Sequence, residues 1–138
     1  MLAAATTSHS GKPFLMPRGV ILIVEDHPDT NLSLQWLLRR EGYDVLSATN
    51  VKQGLEMANA NVIDLLISDI GLPDGTGWEM MQSIRESKPM KAIALSGFGT
   101  EDDKRRSKEA GFLEHLTKPY NIPELKTTVE KLLVSSDA

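Results

Sequence analysis

Leu65-Leu66-Ile67-Ser68-Asp69-Ile70-Gly71-Leu72-Pro73-Asp74-Gly75-Thr76-Gly77-Trp78 is the stretch whose reading decides the fold. Leu65–Ser68 is nearly continuous in aliphatic residues, as in a parallel strand covered on both faces. The run stops at a carboxylate, Asp69. Glycines and a proline then mark a loop, and Thr76 is placed to cap a helix whose stripe is Trp78, Met81 and Ile84. The same alternation extends in both directions. Val20–Val24 is equally continuous, and Val45–Ala48, Ala92–Leu95 and Phe112–Leu116 are further short aliphatic runs.

Segments of helical period separate these runs. Leu34, Leu37 and Leu38 share one face, which Leu32 and Trp36 widen. Val51, Leu55 and Ala58 form a second stripe, weakened by Gly54. Ile122, Leu125, Val129, Leu132 and Leu133 form the last. Asn50 and Asn121 join Thr76 as N-caps, and Gly42 and Gly111 suit helix exits. Thr100 to Ala110 is different, with almost nothing apolar to hold it to a sheet. It reads as a helix capped by Thr100, with Asp103 three residues on, and of low local stability. Five β-α pairs imply an open parallel sheet with helices on both sides. Ligands in such sheets gather beyond the carboxyl ends of the strands.

The 138 residues suit one domain. Residues 1–18, with no acidic side chain, read as a disordered extension or linker, 19–134 as the domain and 135–138 as a short tail. A net charge of −4 argues against a broad surface for nucleic-acid phosphates. The chain contains no run of about 20 apolar residues, so membrane insertion is not expected. Without cysteine there is no disulfide and no thiolate metal site, which fits a cytoplasmic setting. Neither GxGxxG nor GxxxxGK[ST] occurs, which argues against nucleotide binding.

The strand ends carry the chemistry. Glu25-Asp26, Asp69, Ser96-Gly97 and Lys118-Pro119 bring three carboxylates, a hydroxyl and an ammonium to one sheet edge. Clustered carboxylates repel unless a cation sits among them, and Mg²⁺ prefers oxygen ligands. A carboxylate beside Mg²⁺ can attack phosphorus to give an aspartyl-phosphate, and Asp69 is best placed to do so.

Glu25-Asp26, Ser68-Asp69-Ile70-Gly71-Leu72-Pro73-Asp74-Gly75, Leu95-Ser96-Gly97 and Lys118-Pro119 resemble the receiver domain of two-component response regulators and hybrid histidine kinases. The resemblance covers about residues 19–134. It implies a doubly wound (βα)5 flavodoxin-like fold with strand order 2-1-3-4-5. It implies that Asp69 accepts a phosphoryl group from a phosphohistidine on a histidine kinase or phosphotransfer protein. It also implies a Mg²⁺ ion (Mn²⁺ being an acceptable substitute) held by Asp26, Asp69 and the Gly71 carbonyl, with Glu25 acting through water. Ser96 would swing to the phosphoryl group, Lys118 would pair with its oxygens, and the bond to Pro119 would be cis. The outcome would be a signalling switch, with phosphorylation changing a protein-binding surface on the fourth helix, fifth strand and fifth helix. It would act as a phosphoacceptor that promotes its own phosphorylation and dephosphorylation, not as an enzyme.

Three positions depart from the family pattern. His115 stands where an aromatic partner of the moving hydroxyl is usual. It reads either as a half-buried strand residue or as a switch paired with Ser96 that responds to pH near neutrality. Gly71 has no side chain to guide a water, and Phe98 is apolar where a polar residue would orient one, so slow hydrolysis of the aspartyl-phosphate is expected. Two other classes stay open: a receiver-like binding module that works without phosphorylation, and an aspartate-nucleophile phosphatase. The phosphatase is disfavoured because Gly71 stands where such enzymes keep a second aspartate. The output, a downstream protein effector or a covalently linked kinase, is equally open, and the resemblance leaves room for a homodimer.

Overall fold

The computed structural model describes residues 6–7, 13–14, 18–97 and 99–134. Among these, five strands form one parallel sheet: β1 (Val20–Val24), β2 (Asp44–Ala48), β3 (Leu65–Asp69), β4 (Ala92–Ser96) and β5 (Glu114–Thr117). Their order is β2-β1-β3-β4-β5, which agrees with the expected flavodoxin-like topology. The helices between and after them are α1 (Pro28–Arg40), α2 (Val51–Ala60), α3 (Gly77–Ser87), α4 (Glu101–Ala110) and α5 (Ile122–Val134). No helix among the described residues is long and apolar enough to cross a membrane. A two-residue antiparallel pair joins Thr6–Thr7 to Pro13–Phe14. The rest of the extension expected before Arg18, and the tail at 135–138, lie outside the described residues.

The continuous aliphatic runs have a direct cause. Ile21, Ile23 and Ile67 pack on one face of the sheet with Leu34, Leu38, Leu125 and Val129. Leu22, Val24 and Leu66 pack on the other with Ala58, Met80 and Met81. Both faces of β1 and β3 are therefore covered, and each fully buried aliphatic side chain contributes roughly 1.5–3 kcal/mol. The register pairs Val24 with Ser68, Asp69 with Leu95 and Ser96 with Thr117, so the strand ends line up along one edge.

Helix ends follow their chemistry. Asn50 accepts from Gln53 N at 2.8 Å, Asn121 from Glu124 N at 2.6 Å and Thr100 from Asp103 N at 3.0 Å. Thr76 and Glu79 form a reciprocal capping box.

Several expectations need correction. Leu32 and Trp36 do not widen the buried face of α1, being 63% and 57% exposed, and Trp36 instead receives the Arg40 guanidinium 4.6 Å from its ring centre. Ile122 is also exposed, at 43%, while Met80 joins the α3 stripe. Gly54 is not a weak point. A Cβ there would lie 2.6 Å from Met80 Sδ and 3.1 Å from Val24 Cγ2, so the glycine lets α2 approach β1 and α3. Phe112 is not in β5. Gly111 at φ +113° ends α4, and the Phe112 N–H donates to Ser107 O at 2.9 Å, closing the helix rather than joining the sheet.

Helix α4 buries only Ser107 and Ala110, which agrees with its apolar poverty. Polar contacts hold it. Trp78 Nε1 donates to Ser107 Oγ at 2.9 Å, and the same oxygen lies 2.8 Å from His115 Nδ1. The Arg106 guanidinium stacks 3.9 Å from the Trp78 ring centre.

Candidate phosphoacceptor site

Each site residue lies at or just beyond the end of a strand. Glu25 and Asp26 follow β1, Asp69 ends β3, Ser96 ends β4, and Lys118 follows β5. The turn after β1 is fixed by Asn31, a buried residue of α1. Its Nδ2 donates to Glu25 O at 2.8 Å and to Ala48 O at 3.1 Å, tying the ends of β1 and β2 together. Lys118 is brought in by its own N–H, which donates to Ser96 O at 2.6 Å, and the Lys118–Pro119 peptide is cis.

Lys118 Nζ stands 3.0 Å from Asp69 Oδ2 and 3.0 Å from Glu25 Oε1. Glu25 is fully buried, and its Oε2 accepts from His27 N and meets His27 Nδ1, both at 3.0 Å. These contacts decide where the charge rests. Burial works to raise the Glu25 pKa, but the His27 backbone N–H, Lys118 and the His27 ring outweigh it and leave it lowered. For Asp69 burial prevails: desolvation and the nearby Glu25 charge raise its pKa against the pull of Lys118. Burial opposes the Lys118 ammonium too, yet hydrogen bonds to Asp69 and Glu25 raise its pKa above the ordinary lysine value. His27, exposed to solvent, has a raised pKa through Glu25 and then Asp26.

Carboxylate oxygens of Glu25, Asp26 and Asp69 and a ring nitrogen of His27 all lie within 4.8 Å of one another. Asp26 Oδ1 is buried, accepts no hydrogen bond from the described residues, and lies 3.5 Å from His27 Nδ1. A desolvated anionic oxygen with no donor, facing two more carboxylates, fits a hard cation.

The hairpin after Asp69 pairs Gly71 with Thr76 and Leu72 with Gly75. Gly77 must be glycine, because a Cβ would lie 2.5 Å from Asp69 O. Gly71 is exposed, with nothing within 4 Å of where its Cβ would be. Phe98, the other half of the slow-hydrolysis reading, lies outside the described residues. His115 is half-buried and faces Ser107 of α4.

Sequence reasoning missed His27, Asn31 and Asp74. Asn31 leaves a trace, since it lies at i−3 and i−7 from the buried Leu34 and Leu38 and so shares their face. The contacts of Asp74 with Val51 and Lys52 leave none, because they cross from one βα unit to another.

Comparison with known proteins converges on one family. The family model for the response regulator receiver domain matches residues 21–130. The response regulator protein PilR of Pseudomonas aeruginosa is 34% identical over 119 residues, 86% of this chain but only 27% of its own length. Sporulation initiation phosphotransferase F of Bacillus subtilis is 31% identical over 114 residues, 82% of this chain and 92% of its own. A chain from the co-crystal structure of the Saccharomyces cerevisiae phosphotransfer protein Ypd1 with the receiver domain of Ssk1 superposes with a TM-score of 0.80. It does so over 86% of this chain and 91% of its own, at 24% identity, a likeness of fold. With a match spanning the whole sheet and a lysine shared between buried carboxylates at its edge, this chain belongs to the response regulator receiver domain family.

Proposed function

We propose that this domain is a phosphorylation-controlled switch whose phosphoacceptor is Asp69. The observation that carries the reading is the pairing of Asp69 and Glu25 with one ammonium, beside an Asp26 oxygen that has no donor. Asp26, Asp69 and the Gly71 carbonyl would hold Mg²⁺ or Mn²⁺, with Glu25 acting through water, and the cation would neutralise charge on the phosphoryl oxygens. An Asp69 carboxylate oxygen attacks the phosphorus of a phosphohistidine. The P–O bond forms as the P–N bond breaks, and the departing imidazole keeps the electron pair and takes a proton from solvent. The Lys118 ammonium stays with the phosphoryl oxygens, and the Ser96 hydroxyl moves to donate to one of them.

Receiver domains interact with histidine kinases or phosphotransfer proteins, and a protein donor is the proposed partner here. It would approach over the carboxyl edge and α1, along which Asp29, Leu32, Trp36, Tyr120 and Ile122 line an open groove. The proposed output is a changed surface on α4, β5 and α5. His115 is proposed to couple the Ser96 movement to α4 through Ser107, and the open space at Gly71 fits a slowly hydrolysed phosphate.

The test is acetyl phosphate with Mg²⁺, read by intact mass. A gain of ~80 Da, the mass of one phosphoryl group on a carboxylate, is expected in wild type. It should be absent from Asp69→Asn and from wild type with a chelator. Modification of Asp69→Asn to the same extent would overturn the assignment.

A further inference from the structure

The hairpin that carries Gly71 is anchored at three points. Gly77 presses on the backbone of Asp69, and the Thr76–Glu79 capping box ties its end to α3. The third anchor reaches a different βα unit. Asp74 Oδ1 accepts from Val51 N at 2.7 Å and Oδ2 accepts from Lys52 N at 3.0 Å. These are the first two N–H groups of α2, a helix with no acidic residue in its own first turn. Asn50 serves Gln53 N, so Asp74 supplies what that end otherwise lacks: two acceptors and a negative charge at the positive end of the helix dipole. The bonds hold the Asp74 pKa below the ordinary value, the one from Val51 N foremost. They also explain why this carboxylate, five residues from Asp69, takes no part in the acidic cluster.

We propose that Asp74 is a positioning residue for the metal site, using α2 as a fixed post against which the Gly71 carbonyl is set. Only Leu72 and Pro73 separate the clasped carboxylate from Gly71. Leu72 packs into the core between the sheet and α2–α3, and a Cβ on Gly75 would already lie 3.3 Å from Val51 Cγ2. A hairpin released at Asp74 is free to tilt away from the sheet edge, and the carbonyl moves with it. Partners that orient a ligand without touching the metal typically govern affinity by 10- to 100-fold. The proposal rests on the Mg²⁺ reading above.

Calorimetric titration with MgCl2, without phosphodonor, separates the two. Asp74→Asn keeps the shape but loses the charge and one acceptor, and should weaken Mg²⁺ binding on the order of tenfold. Its phosphorylation should return to the wild-type level once Mg²⁺ is saturating. Asp74→Glu keeps the charge on a longer arm. It should melt close to wild type yet bind Mg²⁺ more weakly, which a role in capping α2 alone does not predict. A dissociation constant within twofold of wild type in both variants, while Asp26→Asn loses binding, overturns this proposal and leaves the metal reading intact. No binding by wild type, or undiminished binding by Asp26→Asn, overturns both.

Discussion

Asp69 is asked to be charged where charge is costly. Desolvation raises its pKa above the ordinary 3.8, and the nearby Glu25 adds to that against the pull of Lys118. For an acid whose folded pKa lies above its unfolded one, ionisation is penalised in the folded state. The penalty is absent below 3.8, grows as pH rises, and is complete above the folded value. At neutral pH without metal it is fully in force, so Asp69→Asn should raise the melting temperature. At pH 3 the difference should vanish, and Mg²⁺ should stabilise wild type more than the variant. Thermal melts at the two pH values check this; a variant less stable than wild type at pH 7 would contradict it. Asp69, Asp26 and Lys118 were legible because each ends or follows a run that reads as a strand. His27 was not, since its role comes from folding back onto Glu25, two residues before it. The balance of burial and donors that sets Asp69 apart from Glu25 depends on the whole sheet and leaves no local pattern.

Among the elements, α4 is held without a large buried apolar side chain. Its attachment centres on Ser107, whose hydroxyl accepts from Trp78 on α3 and meets His115 on β5. With the indole N–H donating to it, the hydroxyl proton can serve Nδ1 of a neutral His115, whereas a protonated ring would donate back and leave that proton to seek another acceptor. Ser107→Ala removes the shared atom and takes the acceptor from the half-buried indole, at a cost of about 0.5–1.5 kcal/mol. Hydrogen exchange should quicken across residues 101–110 with little change in β1 and β3. Exchange unchanged in α4 would mean that Ala110 and the helix caps suffice. If His115 is the coupling residue, the phosphorylation-linked change in α4 should differ between about pH 5.5 and pH 8 in wild type and be flat in His115→Phe. The sequence revealed this helix by its caps and its lack of apolar residues. Ser107 and Ala110, small residues three apart among charged ones, were the available sign of its buried face. Partners as far away in sequence as Trp78 carry no such sign.

Across the whole molecule, function follows from a sheet whose strands all run the same way. Parallel pairing brings the carboxyl ends of β1, β3, β4 and β5 to one edge, and the short hairpin and the Lys118–Pro119 turn close around it. This level was the most readable, because strands covered on both faces must be continuously aliphatic, as Val20–Val24 and Leu65–Ile67 are. The outer surface was less so. Leu32, Trp36 and Ile122 fit helical stripes by spacing, yet they are exposed, and periodicity does not distinguish a face packed on the sheet from one turned toward a partner. The central claim is that the phosphoryl group rests on one side chain, Asp69. The direct measurement is to phosphorylate the wild-type protein, reduce the acyl phosphate with borohydride and map the peptides. The account predicts homoserine at position 69 alone; homoserine at position 26, or a phosphoryl group that resists borohydride, would contradict it.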